Sequence, residues 1–194
     1  MRKFSVRPTF TFRGRTFKGL RGWSGKPIHP PLTDFPIAAY VFAAVFDVVS
    51  ALGRHESWSR DFFRAGTYVI IGGAAVSLLA ALTGFWDWLR STEKGTQARR
   101  TANAHAVTMI TVTVLVLVDI ALRLDVYDTR GYPTVAILVL SIVVALLVSI
   151  GATFGGTLIY DYGFNVETAT DSPVWHPSEV DVLPGEHPDD PSTW

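Results

Sequence analysis

Two of the five histidines in this 194-residue chain, His29 and His105, stand at the edges of long apolar runs. An imidazole offers a lone pair to a metal, and two imidazoles on facing helices can hold a heme iron between them. Arg99 and Arg100, just before His105, could pair with heme propionates. Asp87 lies between Trp86 and Trp88 and could join His29 and His105 around a divalent ion such as zinc. The plainer reading is structural. His29 would bond the start of its helix, and His105 would bond Asp87 or a backbone carbonyl across the bundle. The remaining histidines, His55, His176 and His187, fall in a loop and in an acidic tail.

A second group is made of charges inside apolar sequence. Asp47 is the single charge in Phe35–Leu52. Asp119 and Arg123 are four residues apart and share a helix face. Antiparallel helices would bring Asp47, Asp119 and Arg123 together as a buried ion cluster locking the first helix to the third. A proton or ion relay is the functional alternative, with Thr108, Thr111 and Thr113 as its few further polar groups. A phosphate-binding glycine loop, a GxSxG elbow and an HExxH pair are all absent. No residue is nominated as catalytic. With no cysteine, the chain has no disulfide, thiolate metal site or cysteine-held cluster.

Groups so far apart in sequence need elements to gather them. Hydrophobic residues make up 48% of the chain and charged residues 18%. Four stretches are long and apolar: Phe35–Leu52, Ala65–Trp86, Thr101–Val118 and Gly131–Tyr160. Each is close to the roughly 20 residues that cross a bilayer core of about 30 Å. The last has no polar stripe at helical period, as a soluble helix would. The expected fold is an all-α integral membrane protein, a four-helix bundle with helices over about 35–53, 65–89, 102–123 and 132–160. That topology puts His29, Asp34, Asp87, Asn103, His105 and Thr153 in one layer near one membrane face. Small residues four apart (Gly73, Ser77 and Ala81; Gly151 and Gly155; Ala152 and Gly156; Ala39 and Ala43) allow close helix approach. They serve either this bundle or a partner subunit. No internal repeat is visible.

The 17 basic and 17 acidic residues sum to zero but are not mixed. Residues 1–33 hold eight Lys or Arg and no acid, while 160–194 hold eight acids and no Lys or Arg. The expected organisation is a basic, aromatic segment 1–33, a membrane domain 34–162 and an acidic, Pro-rich tail 163–194. The first apolar run begins too late for an ordinary signal peptide, so it is expected to stay as an anchor. With four spans, 12 Lys and Arg fall on the side of the termini and 5 on the other. The positive-inside rule then places both termini in the cytoplasm. Trp23, Trp58, Trp86, Trp88, Tyr127, Tyr132 and Tyr160 fall near span boundaries, where aromatic anchors collect. The head suits anionic lipid or an acidic partner surface. No nucleic-acid-binding fold accompanies it, so RNA is not expected as a partner.

Four sequence blocks carry a resemblance: GKPIHPPLTDFPIA before the first helix, ALTGFWDW closing the second, AHAV opening the third and GGTLIYDYGFNVE closing the fourth. Together, over about residues 20–167, they resemble a bacterial family of four-helix predicted membrane proteins, domain of unknown function 2231. The resemblance implies four spans and a place in the bacterial inner membrane. Some members look fused to Rieske-type or cytochrome domains, which implies respiratory redox work. The family's histidines fall on His29 and His105. A further histidine that many members carry before the closing glycine pair is replaced here by Thr153. The tail segment DSPVWHPSEVDVLPGEHP looks like the opening strand of a Rieske-type domain, but without cysteine it holds no cluster.

Three functions are open at this point. The first is an accessory, non-catalytic membrane subunit of a respiratory or other redox complex. The second is a b-type cytochrome-like electron carrier with heme between His29 and His105. The third is a small ion or proton transporter working through Asp47 and Asp119.

Overall fold

The computed structural model describes residues 27–166. The basic head up to Lys26 and the acidic tail from Glu167, with His176 and His187, lie outside the described residues. Four helices follow one another: α1 (His29–Leu52), α2 (Ser59–Ser91), α3 (Gln97–Val126) and α4 (Val135–Gly156). A π-helical turn, Thr157–Asp161, continues α4. All four are long and apolar enough to cross a membrane.

Helix starts depart from the apolar runs for local reasons. α1 begins at His29, before the expected residue 35, because Pro30 and Pro31 occupy its first turn. Proline there loses no bond, since first-turn N–H groups lack intrahelical partners anyway. α2 takes in an extra charged turn, Ser59–Arg64, that an apolar count cannot see. Buried Ser59 anchors that turn, its hydroxyl reaching the carbonyls of Ser50 (2.8 Å) and Gly131 (3.1 Å). α3 is capped by Thr96, whose hydroxyl accepts the N–H of Arg99 at 3.1 Å. Thr134, after Pro133, caps α4 by accepting from Ile137 at 3.3 Å. Each cap satisfies an orphan backbone donor. Gly95 holds φ +82° in the α2–α3 turn, a region that favours glycine.

Tyr40 and Ala43 of α1, Ile70 of α2, Val112 and Val116 of α3, and Val144 and Val148 of α4 form the core. α1 lies chiefly against α2, and α3 chiefly against α4; α1 also packs on α4, and the α2–α3 contact is the thinnest. Gly73 and Gly151 of the small-residue ridges work inside the bundle, while Ala81 is exposed. A Cβ on Gly73 would fall 2.6 Å from Ala39 Cβ, and one on Gly151 would fall 2.6 Å from Met109 Sδ. Large apolar side chains such as Phe42, Leu82, Ile110 and Leu146 point outward. In water such a belt would be a severe liability; in lipid it is the ordinary surface.

Candidate functional site

His29 sits on the first turn of α1 and leans on α2. Its Nδ1 lies 2.8 Å from the carbonyl of Ala80. The ring is seated over Gly84, where an added Cβ would fall 2.6 Å from His29 Cε1. His105, two turns into α3, leans on α4 in the same way. Its Nδ1 lies 2.8 Å from the carbonyl of Gly151, and a Cβ on Gly155 would fall 3.4 Å from its Cε1. The local plan is thus repeated: a histidine on the odd-numbered helix, and on its partner a carbonyl followed four residues later by a glycine. The sequence shows no repeat because a carbonyl leaves no residue signature: 80–84 reads AALTG and 151–155 reads GATFG.

An Nδ1 that faces a carbonyl must carry the proton, so Nε2 is the nitrogen left with its lone pair. The two rings meet across the helix pairs, with centroids 6.3 Å apart and planes at 83°. Two imidazoles on opposite sides of one metal have ligand nitrogens about 4 Å apart, each bond being about 2 Å. A backbone carbonyl on the second nitrogen is also the usual support of a metal-bound histidine. The pair thus offers two imidazole donors, one from each helix pair, the donor type that also ligates heme iron.

The rest of the expected layer disperses. Asp34, Asn103 and Thr153 are exposed. Asn103 accepts from Trp88 Nε1 at 2.7 Å, and Thr153 donates to the Ser149 carbonyl at 3.0 Å. Asp87 is buried. Among the described residues no three His, Cys, Asp or Glu side chains converge as metal ligands, so a zinc site of His29, Asp87 and His105 is not formed. Arg99 is also engaged: its guanidinium lies 3.5 Å from the centre of the Trp88 ring and donates to Thr92 Oγ1 at 2.6 Å. Arg100 donates to Gln97 Oε1 at 2.8 Å. Neither arginine is held toward the histidine pair.

The charged group lies toward the other end of the bundle. Arg123 is fully buried; its Nη1 donates to Asp47 Oδ1 at 3.0 Å, its Nη2 to Asp47 Oδ2, and its Nε to Asp119 Oδ1 at 3.1 Å. The guanidinium fork thus clasps α1 and holds its own helix by the i, i+4 contact. Thr108, Thr111 and Thr113 each donate to the carbonyl four residues earlier and form no chain between the two groups.

The family model for predicted membrane protein (DUF2231) matches residues 25–168. The chain belongs to this family. In this DUF2231 protein the matched span takes in all four helices, both histidines and the buried charges. Among curated proteins and among solved structures, none matches.

Proposed function

We propose that the protein is an electron-carrying membrane subunit of a redox complex, with a b-type heme held between His29 and His105. The observation that supports this most is the pair of bonds that the His29 and His105 Nδ1–H groups donate to the carbonyls of Ala80 and Gly151. They fix both rings in the tautomer that ligates and aim support at each from a different helix pair. Heme would supply one-electron chemistry at that place. The chain's own part is to fix the two imidazoles, seat them on Gly84 and Gly155, and surround them with helix. The acidic and basic ends and the outward apolar belt supply surfaces for partner subunits in the bilayer. The proposed setting is the bacterial inner membrane with both termini cytoplasmic.

The test is the visible spectrum of protein purified in mild detergent from heme-replete cells. The expected result is a Soret band lost in both His29→Ala and His105→Ala, while far-ultraviolet circular dichroism stays helical. A colourless wild type, or a band that survives both substitutions, overturns the heme reading. Purification without any co-eluting membrane subunit counts against the place in a complex and leaves the heme test standing.

A further inference from the structure

The buried charges do not balance. Asp47, Asp119 and Arg123 are each 0% exposed, and they bring two carboxyl groups to one guanidinium. An arginine side chain stays protonated at any relevant pH. With both carboxyls ionised, the cluster would hold one uncompensated negative charge in a low-dielectric interior. Such a group neutralises rather than bear that cost.

The geometry says which carboxyl does so. Asp47 faces both terminal nitrogens of the guanidinium, the arrangement that stabilises a carboxylate most. Asp119 receives a single bond, from Arg123 Nε, and its Oδ2 is buried without a hydrogen-bond partner. The neighbouring elements bring no second cation to the cluster. α2 contributes the Phe63 ring, 5.8 Å from the guanidinium carbon, and Gly66 beside Nη1. α4 contributes the Ser141 hydroxyl beside Asp47; that hydroxyl donates to the Leu138 carbonyl at 3.1 Å. A bare oxyanion at Asp119 Oδ2 is far more costly than a neutral carboxyl there.

We propose that this cluster is a proton-binding site, with one proton carried by the Asp119 carboxyl at neutral pH. Binding converts the Asp119 carboxylate to the acid with a proton from water, and release reverses it; no other bond changes. Asp119 lies seven residues from the end of α3 and Asp47 five from the end of α1, about 10 Å and 8 Å along the helices. The proton therefore exchanges with the face opposite the histidine pair. The site is independent of the heme proposal.

Infrared spectroscopy of the full chain in lipid vesicles tests it. The expected result is a protonated-carboxyl stretch at neutral pH that fades as pH is raised and is missing from Asp119→Asn. Asp47→Asn should remove the band as well, because Asp119 is then the sole carboxyl facing Arg123 and ionises to balance it. Asp119→Asn should also melt no lower than wild type, since it replaces a neutral acid with a neutral amide. No protonated-carboxyl band in the folded wild type overturns the proposal. So does a band retained in Asp119→Asn, or one abolished by sodium at constant pH, which would mean that the cluster takes a metal cation. If Asp119→Asn fails to fold, Asp119 is the working counter-ion and the proposal fails with it.

Discussion

Gly84 and Gly155 hold equivalent places under the two imidazoles, yet they do not leave equal room. The space above Gly84 is closed: a methyl group there would press on the His29 ring from 2.6 Å, and that ring is already fixed by the Ala80 carbonyl. At Gly155 the same methyl group would meet His105 at 3.4 Å, close to ordinary contact. If the proposed heme is bound there, Gly84→Ala should turn His29 away and lower hemin binding several-fold, while Gly155→Ala should keep most of it. Titration of each purified variant with hemin, followed by absorbance, checks the difference. Equal retention in both would show that the seat on Gly84 does not position the ring. Single residues of this kind were only partly legible in the sequence. Charges inside apolar runs stand out, so Asp47, Asp119 and Arg123 draw attention at once. The carbonyls of Ala80 and Gly151 leave no mark, because every residue has a carbonyl. Glycine four residues further on is the one sequence signal that could have pointed to them. Asp87 misled for the opposite reason: it has ligand chemistry, but sharing a depth in the bundle does not by itself bring three side chains to one metal.

Helices α3 and α4 press together where Gly151 meets Met109. A leucine at position 151 would need space that the Met109 thioether already fills, and overpacking of this kind costs about 1–3 kcal/mol. Gly151→Leu is expected to lower the melting temperature in detergent and to weaken the His105 contact, whose acceptor is the Gly151 carbonyl. Gly72→Leu is the control, because nothing lies within 4 Å of a Cβ there. Circular dichroism melts of both variants decide it; equal melting temperatures would remove Gly151 from the packing account. At this scale the sequence was informative, since four apolar runs of membrane length have few alternatives. Helix ends were less so. α2 and α3 both extend beyond the apolar stretch into charged turns, and their ends are set by caps and turns that hydropathy does not register.

For the whole molecule, the direction of insertion rests on 12 Lys and Arg on the side of the termini against 5 on the other. Reporter fusions at either terminus should both be active in the cytoplasm, and a fusion in the α1–α2 loop should report the far side. Termini on opposite faces would contradict four spans, and inverted activity would contradict the proposed orientation. The resemblance quoted for about residues 20–167 and the family match over 25–168 agree on the membrane part of the chain.

The bundle is two helix pairs laid side by side, and the seam between α2 and α3 is its thinnest contact. One imidazole belongs to each pair, so anything gripped by both would rivet the halves. A ligand that binds the folded form alone raises its stability with the logarithm of one plus its free concentration over its Kd. Emptied of that rivet, the two halves would be held across the seam by the α1–α4 packing and the Asp47–Arg123 clasp alone, apart from the slight α2–α3 contact.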